Sequence, residues 1–303
     1  MNFSGKFTLA LKPLFNTGAG IARPMLLGFA CLVTANSFAQ VPLDTLGKNV
    51  SSGTNEEKRD ALLQIRNLGS EEAARFAIPA LTDKDEIVRA TAVSSVVFLA
   101  KDESARLLIP MLNDKAEFVR REAAFALGQV GSNSATSSLL ALMQHDKSRE
   151  VKAAAAAALG LVGDVAAVDG LISLLDKKPD ENAEFIRRSA ARSIGQIAQI
   201  LANEKTALTI PQDYLSDKYK NIVRCSFNPI SERFPVFRKA TTTLIRVLQN
   251  GRESDDTRRE SAFALGAIGD PSAISALRSN LSAPDNYLGE ICKEALIRMS
   301  KQQ

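Results

Sequence analysis

The thirteen-residue phrase "VRREAAFALGQVG" at 119–131 returns as "TRRESAFALGAIG" at 257–269, and looser copies begin at 88 ("VRATAVSSVVFLA"), 151 ("VKAAAAAALGLVG") and 186 ("IRRSAARSIGQIA"). The second residue of each copy is basic. Arg89, Arg120, Lys152 and Arg187 follow one another at 31, 32 and 35 residues, and Lys58 stands 31 residues before Arg89 in the degenerate copy "KRDALLQIRNLG". Self-similarity with a period in the low thirties belongs to chains built of stacked units, none of which buries its apolar face alone. Within the phrase, Val119, Ala123, Leu127 and Val130 recur at helical spacing. A second apolar segment precedes each copy: "AIPALTDKD" at 77, "LLIPMLNDK" at 107, "SSLLALMQHDK" at 137 and "DGLISLLDKK" at 169. Each unit therefore predicts a helical hairpin, and residues 55–303 predict an all-α fold, an α-solenoid of about six hairpins.

Local chemistry adds detail. Asp102 opening "DESARLLIP" and Ser148 opening "SREVKAAAA" predict helix N-caps, since their oxygens accept from first-turn amides. The alanines, with Gly128, Gly160, Gly195 and Gly266, predict second helices in close approach rather than phosphate loops. Pro79 and Pro110, 31 residues apart, each remove a helix hydrogen bond and predict a bend in the first helix.

With these residues in place, the pattern resembles the HEAT-like repeat family, in the short bacterial form also found in phycobilin lyase subunits. The resemblance rests on "VRREAAFALGQVG" with "LNDKAEF" before it and spans roughly residues 55–300. It implies a binding scaffold, since such repeats are only occasionally enzymes. It also implies that Arg89, Arg120 and Arg187 bond to neighbouring loop carboxylates and carbonyls and so tie unit to unit.

One stretch breaks the period. Residues 203–234 hold Tyr214, Tyr219, Cys225, Pro211 and Pro229. A long insertion in a solenoid emerges on one face and often contributes to binding; a short extra helix covering its neighbours is the other reading.

The first 39 residues differ from the rest. They carry Lys6, Lys12 and Arg23 and no Asp or Glu, then "MLLGFACLV" at 25–33 and the small polar stretch "TANSFAQ". This composition predicts a secretory signal peptide over 1–39, cleaved between Ala39 and Gln40, and hence a periplasmic or otherwise exported protein. The apolar run of about ten residues falls short of the ~20 needed to span a bilayer. Residues 40–54 are expected to be a flexible linker. Export leaves two states open for Cys225 and Cys292, one disulfide or two unpaired buried thiols.

Beyond residue 39 the chain has 35 basic residues against 34 acidic ones, which gives no general electrostatic grip on nucleic acid. Catalytic and metal motifs are absent: there is one His, His145, in the link "MQHDKSRE", and no HExxH, CxxC, GxSxG or phosphate-loop pattern. Asp83 with Asp85, and Asp255 with Asp256, precede second helices, where carboxylates suit the helix dipole. No cofactor is implied. The expected partner is a protein or peptide, held on the concave face by the side of the second helix turned away from the core. Its candidate residues are Phe98, Arg121, Phe125, Arg188, Arg192, Arg259 and Phe263, joined by Tyr214 and Tyr219 of the insert. A lyase or isomerase related to bilin lyase subunits, and a self-assembling structural element, are the alternatives.

Overall fold

The computed structural model describes residues 41–180, 183–203 and 230–302. These fold into fifteen α-helices with no strand among the described residues. Helices α1 (Leu43–Ser52) and α2 (Asn55–Leu68) form a first hairpin; α3 (Glu71–Arg75) and α4 (Glu86–Ser95) a second; α5 (Lys101–Leu108) and α6 (Glu117–Val130) a third. They are followed by α7 (Thr136–His145) with α8 (Arg149–Val162), and α9 (Val168–Leu175) with α10 (Glu184–Asn203). A single helical turn, α11 (Ile230–Arg233), leads into α12 (Val236–Gln249) with α13 (Asp255–Ile268), and α14 (Ile274–Ser279) with α15 (Asn286–Gln302) closes the series. The second helices stack in chain order, α2 on α4, α6, α8 and α10, then α13 and α15. Helix α10 packs directly on α13, so the stack continues across the interruption.

The described residues thus hold seven hairpins rather than about six, and the difference lies in residues 41–54 of the expected linker. These are not a flexible linker: α1 buries Leu46 and Val50 against α2. Gly47 admits the ring of Phe76, 2.4 Å from where a methyl group would sit.

Small residues set the distance between second helices. A methyl group on Gly128 would lie 3.0 Å from Cα of Ala158, and one on Gly266 would lie 2.8 Å from Cα of Ala295. At Gly160 the space is taken by the Ser193 hydroxyl, which donates to the carbonyl of Ala156 at 2.8 Å. The last glycine of the phrase ends the helix. Gly131 and Gly163 adopt φ of 66° and 80°, a left-handed conformation that L side chains resist, and return their amides to Leu127 and Leu159.

Three local expectations resolve differently. Ser148 caps α8 as expected, accepting from the Val151 amide. Asp102 does not cap; α5 starts earlier, from Ala100, and Asp102 lies in its first turn. Pro79 and Pro110 do not bend a continuous helix. Each is the second residue of a 3-10 segment, Ile78–Thr82 and Ile109–Asn113, because proline keeps the helical φ while denying the α-helical hydrogen bond.

The basic residue of each phrase joins one unit to the next. Arg120 donates from Nε and Nη2 to Asp146 at 2.6 and 3.1 Å, and from Nη1 to the carbonyls of Asp114 and Lys115 in its own hairpin loop. Arg89 does the same with Asp114, at 2.8 Å from both nitrogens, and with the carbonyls of Asp83 and Lys84. Lys58 reaches Asp83 at 2.6 Å. Arg187 takes Glu253, beyond the interruption, together with the carbonyls of Leu174, Leu175 and Lys177. The last position, Arg258, donates to Asn280 and Leu248. The fork geometry explains the preference for arginine, whose planar donors serve a carboxylate and two carbonyls at once.

Burial pushes the carboxyl groups of Asp114 and Asp146 upward, but the guanidinium of the preceding unit and an amide two residues on more than offset it, so both stay below the usual aspartate range. A depressed folded-state pKa contributes stability above the unfolded value, about 3.9, and that contribution is lost as pH falls through the folded one. Unfolding midpoints should therefore fall steeply below about pH 4. Arg120→Ala, which leaves Asp146 buried without its partner, should cost about 3–5 kcal/mol in urea melts, against a far smaller loss for the exposed Arg75→Ala. Equal, small losses for both variants contradict the assignment.

Candidate functional site

The side of the second helices turned away from the core is not uniform along the stack. In α6, Val119, Ala123 and Leu127 are fully buried, while Phe125 is 53% exposed and Phe118 39%. The Arg121 guanidinium lies over the Phe118 ring, 5.2 Å from its centroid, and reaches the carboxylate of Glu122 only at 3.8 Å. Leu63 on α2, Phe98 following α4 and Leu161 on α8 are exposed as well. The Phe98 ring also covers Gly69, 3.6 Å from a methyl position there. The N-terminal half of this surface is thus apolar and aromatic, with the Arg121 guanidinium stacked on one of its rings.

From α10 onward the same positions hold ion pairs. Arg188 donates to Asp256 at 2.7 Å, and Arg192 donates from Nε to Glu260 at 3.0 Å; both pairs join α10 to α13. Arg259 donates to both oxygens of Asp285, at 2.7 and 2.8 Å, and to Asp256 at 2.8 Å. The Asp285 carboxyl is held low, mainly by Arg259 and against the effect of burial. Phe263 does not stand free. Half-buried, its ring lies 2.7 Å from a methyl position on Gly195, filling the space between α13 and α10. Arg259, Glu260, Phe263 and Arg298 nevertheless line a groove of about 310 Å³ between α13 and α15.

Of the residues expected to bind a partner, Phe98, Arg121 and Phe125 lie on the open, apolar part. Arg188, Arg192 and Arg259 are committed to neighbouring helices, and Phe263 to Gly195; Tyr214 and Tyr219 lie outside the described residues. Three aromatics join the surface that the sequence expectations omit. Phe118, Phe185 and Tyr287 each lie under an arginine, Arg121, Arg188 and Arg259. Phe185 and Tyr287 are 65% and 74% exposed. The signal was present for two of them, as Phe118 and Phe185 stand three residues before their arginines, one helical turn away.

No cluster suited to a metal occurs among the described residues. His145 ends α7 with its side chain exposed. Cys292 is buried, its thiol pushed up to about 11 by desolvation and so protonated at neutral pH. Cys225 lies outside the described residues. None of the described helices is long and apolar enough to cross a membrane.

Four overlapping stretches, 43–128, 74–160, 107–195 and 137–226, match the family model for HEAT repeats, and residues 257–283 match that of the PBS lyase HEAT-like repeat. No curated protein matches the chain. Among solved structures it is similar in fold to an engineered protein, with a TM-score of 0.52 and 18% identity over 85% of this chain and 68% of that one. It is also similar to the complex of CpcE and CpcF of phycocyanin lyase from Nostoc sp. PCC7120, with a TM-score of 0.46 and 19% identity over 92% and 98%. A designed armadillo repeat protein in complex with the peptide (KR)4 gives 0.43 and 16% over 85% and 99%. The first family match begins at residue 43, the start of α1, in agreement with a hairpin there. By its repeated phrase, its stacked hairpins and the family-model matches over 43–226 and 257–283, the chain belongs to the HEAT-repeat family.

Proposed function

We propose that this protein is an exported HEAT-repeat scaffold that captures a protein or peptide segment on the outward face of its second helices, centred on α6. The observation that carries the proposal is the group Phe118, Arg121 and Phe125: two exposed rings and a half-exposed guanidinium that no carboxylate holds closely. Aromatic residues and arginine are the side chains that concentrate binding energy at protein interfaces, the rings by desolvating large rigid areas and the guanidinium by its planar set of donors and its stacking on rings. The neighbouring Leu63, Phe98 and Leu161 extend the apolar surface along the stack, as an extended or helical segment requires. Export rests on the basic leader, the apolar run at 25–33 and the small residues before Gln40.

Crosslinking in the native envelope, followed by mass spectrometry of the captured species and of the N-terminus of the protein itself, tests both parts. The mature chain should begin at Gln40, and one protein partner should dominate. Phe118→Ala with Phe125→Ala should reduce its capture at least about tenfold, the effect of losing ~1.4 kcal/mol, while leaving the thermal midpoint within a degree or two. Phe263→Ala should instead lower the midpoint, since its ring fills a gap between helices. Unchanged capture by the double variant, or a chain that keeps residues 1–39 and stays inside the cell, overturns the proposal.

A further inference from the structure

The row of inter-unit contacts has one open position, and it lies beside a wide cleft. Lys58, Arg89, Arg120 and Arg187 each hold a carboxylate of the following unit. Lys152, the fourth member of the row, holds none, and its side chain makes no hydrogen bond among the described residues, although it is half-buried near the start of α8. Lysine as such is not the cause, for Lys58 binds Asp83 at 2.6 Å. The cause lies with its partner. Asp176 stands 24 residues after Lys152, close to the spacing of 25 or 26 residues in the contacts before it. Its carboxylate is turned to α12, where Arg246 donates to it at 2.7 Å and Thr243 at 3.1 Å.

The vacated place opens into a cleft of about 780 Å³ between the hairpin loops of α7–α8 and α9–α10. Lys177 and Lys178 line it with Lys152, and none of the three side-chain ammonium groups has an ion pair or hydrogen bond among the described residues. Arg149, Arg187, Glu150 and Asp180 line it too, but these have interactions already: Arg187 is bound to Glu253 and Glu150 to the Ser148 hydroxyl. Five cationic side chains against two carboxylates leave the lining net positive. Met143, Leu174, Phe185 and Ile186 supply an apolar wall.

We propose that this cleft binds an acidic peptide segment, one of whose carboxylates takes the place beside Lys152 that Asp176 has left, with Lys177 and Lys178 holding a second. Lys58, Arg89, Arg120 and Arg187 are each met there by a carboxylate, and Arg258 by the amide oxygen of Asn280, so the place takes an acceptor and in four of the five other units a carboxylate, which selects the chemistry of the ligand. The volume exceeds what a small inorganic anion fills, and the apolar wall suits an apolar side chain between acidic ones. This site lies at the loop edge of the stack and does not depend on the aromatic face of α6.

The test uses fluorescein-labelled peptides of sequence EELEEL and QQLQQL, titrated with the protein at about 0.15 M ionic strength, where only close charge contacts persist. EELEEL should bind at least about tenfold more tightly than QQLQQL. Lys152→Gln with Lys177→Gln and Lys178→Gln should abolish that difference without lowering the thermal midpoint, since these side chains hold no other partner. Removing three exposed lysines elsewhere, Lys84→Gln, Lys101→Gln and Lys115→Gln, should leave it intact. The proposal is overturned by absent or equal binding of the two peptides, by equal effects of the two triple variants, or by inorganic phosphate binding as tightly as EELEEL.

Discussion

A guanidinium that serves two units at once is the contact on which this stack depends. Arg89 and Arg120 each bond to two carbonyls of their own hairpin loop and to both oxygens of an aspartate in the next unit. The arrangement answers two problems with one side chain. Loop carbonyls at the end of a 3-10 segment find donors, and a carboxylate nearly removed from water finds a partner held at fixed distance. Apolar burial brings alanine-rich helices together but is tolerant of sliding; a forked contact with defined partners is not. Register between neighbouring units is thereby fixed along an edge that the apolar core does not reach.

The same device explains how the chain absorbs its interruption. Arg187 finds its carboxylate 66 residues on, in Glu253, and Arg188 and Arg192 add pairs across the same helix boundary. The boundary between α10 and α13 is the one most heavily reinforced by charge. Reinforcement has a local consequence, since α12 draws Asp176 to Arg246 and so leaves Lys152 without it. Continuity after the interruption and an open cationic cleft before it are two results of one change of partner.

The repeated phrase, and with it the hairpins, the buried Val119, Ala123 and Leu127 and the close approach at Gly128 and Gly266, was legible because those positions answer to helical period and side-chain volume alone. What escaped the sequence depends on residues distant along the chain. The α1 hairpin is seated by Phe76, whose ring lies against Gly47 from 29 residues away. Phe263 and Phe125 occupy the same place in two nearly identical phrases, yet one ring fills a gap above Gly195 and the other faces solvent, because their neighbours differ. Arg188, Arg192 and Arg259 read as free cations only while Asp256, Glu260 and Asp285 are not placed beside them.

Binding on the aromatic face needs a stack that keeps its form, so the forked contact is the claim to test first. A double-mutant cycle on Arg89→Ala and Asp114→Ala, read by urea unfolding at pH 7, measures it with least interference, because both side chains are nearly buried and Nε and Nη2 of Arg89 both donate to Asp114. The expected coupling between the two substitutions is about 1–3 kcal/mol. Losses that simply add, with no coupling, would mean that shape alone holds the units together.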